Sequence, residues 1–567
     1  MNGFLQVFYV VFSAVITTLA APNELLTFGS PILGMIALIP LFITLYNSKS
    51  FKIAGHLTGL QLFLTHLLSS FWLGNFKDFA IFTLGASAIA YYFFGFVFGN
   101  YLYSIFYYTE KNNPLKKFSV SSFKNPFTQI LGFASIWTIY EWFKMTGWLA
   151  YPWGTLFMSC YKWHTLKQIC SVTGVLGITY LMALFSSVVA KGILLLPDVN
   201  KFKANDISLN SYKLTAVYCM TLFIVSCAFG VHEYKKQPKV AKEINVVMVQ
   251  HNGDSWKPNG IKNIETSIIE TEKGKAELEA QGKRCDIAIW NESVLSLGWL
   301  PDALDKIYKV FPRNIPFVTY LENMKTPLLA GGPAHEKGDN NAQNAAVLFG
   351  KDGSIVDFYG KIHLVPFAEE IPYANTKIVQ TLLKSLFGFS NGWTSGKNFV
   401  LFTITNAKGE EINFTTPVCF EDAFPDLCRA LYNTGSDIFI NITNDSWSNT
   451  KSAEYQHFVV SSFRTIEHKT TMIRSCTSGY SVVLNCNGDV IADMPLFEAG
   501  HLSTTVPIYE RSNTIYSRYG NWIMAPIYLF IIFFFIIEFL RMLKEERELQ
   551  LAIQKLYEEN EIDDENQ

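Results

Sequence analysis

Charge is scarce in this chain. Only 17% of its 567 residues are Asp, Glu, Lys or Arg, against about 25% in an ordinary soluble domain. The two signs nearly cancel, leaving a net charge of −2. That balance excludes a basic nucleic-acid surface and offers no broad basic face to anionic lipid. Regular cysteine spacing is lacking too. Cys285, Cys419, Cys428, Cys476 and Cys486 form an odd, irregular set in the second half, which suits neither a disulfide framework nor zinc ligation, so at least one thiol should stay free and no metal is expected. Met1-Asn2-Gly3 has none of the basic residues that open a signal peptide, and the first apolar run is therefore expected to remain as a span.

Apolar residues are what the chain has in plenty, at 49% of the total, with 15% aromatic. They are unevenly spread. A bilayer core of ~30 Å needs ~20 mostly apolar residues per helix, and runs at 4–21, 31–46, 57–73, 79–107, 126–143, 171–190, 214–231 and 522–540 qualify as spans. The fourth is long and carries Gly85, Gly95, Gly99 and Asn100, but no charged turn divides it, so it reads as one tilted helix. The chain thus divides into a membrane domain over 1–232 with about seven helices, a globular domain over 243–510, a C-terminal span at 522–540 and a charged tail at 541–567.

Lysines set the orientation. Lys49 and Lys52, then Lys111, Lys116, Lys117 and Lys124, then Lys191, Lys201, Lys203 and Lys213 all fall in loops on one side of the membrane. The opposite loops hold only Glu24, Lys77 with Asp78, Lys144 and Lys162. By the positive-inside rule the lysine-rich side is cytoplasmic, which puts 243–510 outside and the tail inside.

Within 243–510, short buried-strand patterns begin at 243–250 and 286–290 and recur at 327–331, 345–350, 354–358, 399–405, 412–418, 437–443 and 480–485. Helical patterns fall at 261–283, 303–310, 376–387, 424–433 and 454–468. This alternation predicts an α/β sandwich. Three stretches just after such strands carry the chemistry: Trp290-Asn291-Glu292-Ser293, then Gly360-Lys361-Ile362-His363-Leu364-Val365-Pro366-Phe367, then Pro417-Val418-Cys419-Phe420-Glu421-Asp422. Each of the three reactive groups alone has an ordinary reading, as a buried thiol or a surface charge. Together they supply a thiol nucleophile, a carboxylate base and an ammonium for an oxyanion, which is what thiol acyl transfer requires. The strand-to-helix elbow at Cys419 should expose the thiol and favour its thiolate through nearby N–H groups.

At these residues the chain resembles the nitrilase superfamily, with its Glu, Lys and Cys in the same order, and within it most closely the apolipoprotein N-acyltransferase family. Lys361 to Glu369 is similar to that family's lysine motif and Cys419-Phe420-Glu421 to its nucleophile motif. The run Asn441-Ile442-Thr443-Asn444-Asp445-Ser446-Trp447 and Gln456-His457 resemble it too. Asn291, Ala368 and Phe420 stand where the family has Pro, Gly and Tyr.

The resemblance implies a multi-pass α-helical membrane domain joined to an extracytoplasmic nitrilase-like αββα sandwich, in a bacterial inner membrane with the catalytic domain on the periplasmic face. It implies Glu292 as general base, Lys361 as oxyanion stabiliser and Cys419 as acyl carrier, supported by Trp256, Asn344, Glu369, Phe420 and Glu421, with Glu369 holding Lys361. The implied reaction passes an acyl group from a phospholipid through a Cys419 thioester to the N-terminal diacylglyceryl-cysteine of a lipoprotein, without a cofactor.

Trp142, Trp148, Trp153 and Trp163, with Tyr151 and Tyr161, lie in or beside one outer loop. They read either as an interfacial belt or as a lipid portal. A membrane-tethered amidase or nitrilase acting on a small C–N substrate would use the same triad but leaves the spans and this loop unexplained. A scaffold or transporter with an inactive enzyme domain is a third reading, against which stand an intact triad and spans nearly free of charge.

Overall fold

The apolar runs and strand patterns become two bodies in the computed structural model, which describes all residues except 77–79, 111–125, 197–206, 237, 258, 296–314, 337–341, 367, 371–375, 377–380, 382–391 and 566–567. The helix expected at 303–310 and nearly all of that at 376–387 lie outside the described residues.

Among the described residues, helices Gly3–Ala20, Thr83–Tyr107, Val175–Leu195, Leu209–Lys235 and Met524–Lys555 are long and apolar enough to cross a membrane. Three of the eight expected spans differ. The 31–46 run is two shorter helices, Pro31–Ile36 and Ile39–Tyr46. Helices Phe51–Ser69 and Pro126–Lys144 have the length but are diluted by buried polar groups, including Gln61, Thr65 and His66 on one and Glu141 on the other. These polar groups bond inside the bundle, as His66 does to Ser87 Oγ at 2.8 Å and Glu141 to Thr179 Oγ1 at 2.7 Å. Helix Phe51–Ser69 also crosses Ser87–Glu110 at Gly55, Gly59, Gly95 and Gly99. A Cβ on Gly95 would meet Gly59 Cα at 2.8 Å, so small residues four apart on both helices let the backbones touch. Gly95 and Gly99 of the fourth run are therefore part of its packing surface.

The globular body is two six-stranded sheets face to face. The first runs β12 (Gly500–Tyr509), β1 (Val240–Gln250), β2 (Ile287–Ile289), β3 (Leu328–Ala334), β4 (Gln343–Phe349), β5 (Ile355–Gly360). The second runs β11 (Val490–Asp493), β10 (Val482–Leu484), β9 (Thr471–Cys476), β8 (Ile438–Thr443), β7 (Glu411–Thr415), β6 (Phe402–Thr405). In each sheet a parallel centre, β1-β2-β3 or β7-β8-β9, is flanked by antiparallel strands. Parallel central strands buried on both faces account for the near-continuous apolar runs of β2 and β8. Helices Gly260–Ala280 and Ile315–Met324 cover the first sheet, whereas Pro425–Asn433 and Lys451–His468 cover the second.

Helix Lys451–His468 joins the two bodies. An outer helix of such a sandwich normally shows one face to water, yet nearly every residue of this one is buried. Its far side rests on the lysine-poor loops of the bundle. Gln456 Nε2 donates to Pro22 O at 2.8 Å and Ser69 O at 2.9 Å, Trp72 Nε1 donates to Gln456 Oε1 at 3.2 Å, and Phe463 meets Phe157 edge-on at 5.2 Å. Burying Phe458, Val459, Phe463 and Ile466 is worth about 1.5–3 kcal/mol for each side chain, and one apolar core runs from the bundle through this helix into the sheets.

Candidate active site

The ends of three strands deliver the reactive groups to one place. Glu292 follows β2 in a turn where Ser293 has φ +59°, and Gly331 on β3 makes that turn possible. A Cβ on Gly331 would lie 2.5 Å from Glu292 Cα and 2.7 Å from Asn291 O. Asn291 sits beneath, its Nδ2 donating to Val249 O at 2.7 Å and Cys476 O at 2.6 Å, one in each sheet. A proline there could make neither bond.

Lys361 follows β5 and is fully buried. Its ammonium lies 3.3 Å from Glu292 Oε1, 2.9 Å from Glu369 Oε2 and 5.2 Å over the Phe420 ring. Asn344 on β4 joins both acids, its Nδ2 donating to Glu292 Oε1 at 2.7 Å and Glu369 Oε1 at 2.9 Å. The other Glu292 oxygen accepts the Asn444 N–H at 2.8 Å. Burial alone would push the Lys361 ammonium down, but Cys419, Glu292 and Glu369 outweigh it and hold it well above the ordinary lysine range.

Cys419 opens a 3₁₀ turn, Cys419–Ala423, and the α-helix starts only at Pro425. Its φ of +56° is left-handed, a strain of about 1–3 kcal/mol that persists only where neighbours over-determine it. Asn441 does so from β8, its Nδ2 donating to Pro417 O at 2.8 Å and Cys419 O at 2.9 Å. Glu421 does so from the turn itself. Its carboxylate accepts from Val418 N–H at 2.7 Å, Ile362 N–H at 2.7 Å, His363 N–H at 2.9 Å and Tyr359 O–H at 3.1 Å, clamping the Cys419 turn to the lysine loop. Burial pushes its carboxyl up to about 7 against the pull of these donors.

The expectation of an exposed, thiolate-favouring elbow is corrected here. Cys419 is only 9% exposed, and burial, then Glu292, push its thiol well above the usual range despite Lys361. The resting group is the thiol, and its attack needs a base.

The remaining expected residues line the approach. Trp256 Nε1 donates to Trp447 O at 3.1 Å, and both rings meet Phe76 from the bundle, at 5.3 and 5.4 Å. Trp148 is 40% exposed and its Nε1 donates to Glu370 Oε2 at 2.7 Å, tying the bundle's 144–163 loop to the lysine loop. Trp153 stacks on Phe420 at 6.3 Å and 22°. Phe420 thus covers Lys361 on one side and meets the membrane domain on the other, using its ring and not a hydroxyl.

The comparisons agree from both ends of the chain. The carbon-nitrogen hydrolase family model matches residues 248–516, and that of the apolipoprotein N-acyltransferase N-terminal domain matches 13–188. Apolipoprotein N-acyltransferase 2 of Treponema denticola is 39% identical over 534 residues, covering 94% of this chain and 97% of its own. The chain belongs to the apolipoprotein N-acyltransferase family. Its namesake in Borreliella burgdorferi is 31% identical over 516 residues, covering 90% of this chain and 91% of its own. Among solved structures, a carbon-nitrogen hydrolase from Helicobacter pylori is similar at 17% identity and TM-score 0.34, over 47% of this chain and 89% of its own. The family's acyltransferase architecture, a multi-pass membrane bundle bearing a nitrilase-like sandwich, is the one described above.

Sequence reasoning gave no role to Gly331, Asp422 or Arg474. Arg474 left a signal: a charge inside the apolar strand Thr471–Cys476 needs a buried partner, and its Nε donates to Asp422 Oδ2 at 2.9 Å.

Proposed function

We propose that this protein N-acylates the N-terminal diacylglyceryl-cysteine of lipoproteins, taking the acyl group from a phospholipid. The observation that carries this reading is the convergence of Glu292, Lys361 and Cys419 under a helix seated directly on an apolar bundle. Family membership along nearly the whole chain supports it. A soluble amidase needs the same triad but neither the bundle nor the loop that reaches from it to Glu370 and Phe420.

Two half-reactions follow. In the first, Glu292 takes the thiol proton as Cys419 Sγ attacks the ester carbonyl, and Lys361 stabilises the oxyanion. The tetrahedral intermediate collapses to the thioester, the C–O bond breaks, and Glu292 returns the proton to the departing lysophospholipid. In the second, the lipoprotein's α-amine attacks the thioester, Glu292 takes the amine proton, and Cys419 leaves and is reprotonated. Resting Cys419 as a buried thiol suits this cycle, since a protected thioester survives where water is excluded.

The catalytic domain lies outside the cytoplasm, on the periplasmic face of the inner membrane. This rests on the lysine distribution, because the loops that hold the catalytic domain are the lysine-poor ones.

Intact mass measurement of the purified protein incubated with phospholipid alone tests the reading. The expected result is one acyl group on the wild type, released by lipoprotein peptide, and none on a folded Cys419→Ser variant, whose hydroxyl has no comparable nucleophilicity. An adduct that persists in the serine variant would sink the assignment.

A further inference from the structure

Behind the nucleophile lies a buried ionic cluster that the acyl-transfer steps do not use. His457, on the docking helix Lys451–His468, has Nε2 3.0 Å from Asp422 Oδ1 and Nδ1 3.0 Å from both oxygens of Asp445. Two ring nitrogens facing two carboxylates each need a proton, so the ring is an imidazolium. Arg474, from β9, donates to Asp422 and lies 4.0 Å from Asp445. Two cations thus balance two anions in a buried place. Burial alone would lower the His457 value, but Asp445 and Asp422 carry it up to about 9 against Arg474. Glu454, on the same helix, has its carboxyl pushed well up by burial and by Asp445.

The two acids that grip His457 belong to the two turns that must be aligned. Asp422 is in the 3₁₀ turn of Cys419. Asp445 is in the turn whose Asn444 N–H holds Glu292 Oε2. The imidazolium ring lies 5.8 Å from Trp153 of the bundle's 144–163 loop, tilted by 53°, and Trp153 stacks on Phe420. One side chain therefore touches the nucleophile turn, the base-holding turn and the membrane domain.

We propose that His457, as an imidazolium, is a positioning residue that holds Cys419 in line with Glu292 and ties that alignment to the seating of the catalytic domain on the bundle. This rests on the acyl-transfer reading above. Loss of its second proton leaves one carboxylate facing a lone pair, so the two turns part and proton transfer from the thiol slows. The charged groups facing the ring are Asp422 from the nucleophile turn, Asp445 from the loop after β8 and Arg474 from β9, with Glu454 acting through Asp445. Lys361 and Cys419 are both held well above their ordinary ranges, so neither changes charge where His457 does.

The test is single-turnover acylation of the full-length protein in detergent by phosphatidylglycerol, whose headgroup does not titrate in the range used, followed by intact mass. A wild type that forms no thioester overturns the acyl-transfer reading itself. If it forms one, the rate should fall with a midpoint at about 9, as the imidazolium is lost. His457→Gln should be slower by about 10²-fold, the penalty of a misplaced reacting group, with the half-saturating phospholipid concentration unchanged and no alkaline fall. A variant acylated at the wild-type rate, or one that keeps the alkaline fall, overturns the proposal. If His457→Gln does not fold, the wild-type profile decides, and a rate that is flat between about pH 8 and 10 overturns it equally.

Discussion

At the scale of single residues the site separates groups that react from groups that aim them. On the proposed mechanism Glu292→Gln removes the base from a resting thiol and should block formation of the thioester. Lys361→Ala should slow it by about 10²-fold or more through the oxyanion. Quenched-flow acylation followed by mass measurement distinguishes them, and a normal rate in either variant would contradict the role given to it. Glu421 aims, and its test is pH. The carboxylate form accepts from Val418, Ile362, His363 and Tyr359, so the clamp engages as pH rises through about 7. Stability should move the other way. A carboxyl raised on folding from 4.5 to about 7 contributes stability that is fully present below 4.5 and is lost as pH rises through about 7. Wild-type acylation should therefore gain an acid limb near pH 7, while the thermal midpoint falls between about pH 4.5 and 7 and levels off above. Glu421→Gln should lack the limb and acylate slowly throughout, and a limb that survives in it would place the titration elsewhere.

At the scale of elements, strand ends set the catalytic distances, and the contact of β3 with the Glu292 turn is one of the close backbone approaches that fix them. Gly331→Ala sets a methyl against backbone atoms at 2.5–2.7 Å that cannot rotate away. The turn must shift, and an error of about 1 Å at a reacting group costs about 10²-fold. The variant should lose acylation rate far more than thermal stability; equal loss of both would mean that Gly331 serves only the sheet. The convergence of the three proposed triad residues was legible in the sequence because each follows an apolar strand and its chemistry names it. Gly331 was not, since close approach between strands distant in sequence leaves no local pattern. Buried parallel strands such as β8 were readable as unbroken apolar runs. β9 and β12 were passed over, β9 because Arg474 interrupts it and β12 because Gly500–Tyr509 is a half-exposed edge strand of mixed polarity. Helix Lys451–His468 was legible as a helix but not as a docking element, for its second buried face is covered by loops some 300 to 430 residues away in sequence.

At the scale of the whole molecule, the question is how an acyl chain leaves the bilayer for a buried thiol. The loop 144–163 of the bundle reaches the catalytic domain. Trp148 binds Glu370 on the lysine loop, and Trp153 stacks on Phe420 beside Cys419. A mere interfacial belt would keep its tryptophans at headgroup level and would not engage the catalytic domain at two points. Trp148 is 40% exposed, and its indole N–H reaches Glu370, beside the lysine loop that carries Lys361. Trp148→Ala should accordingly slow acylation by a long-chain phospholipid more than acylation by a short, water-soluble ester. The short donor reaches Cys419 without help from the membrane and senses only general effects of the substitution on the fold. Parallel rate measurements with the two donors on one preparation give the comparison, and equal losses would reduce the loop to an anchor between the two domains.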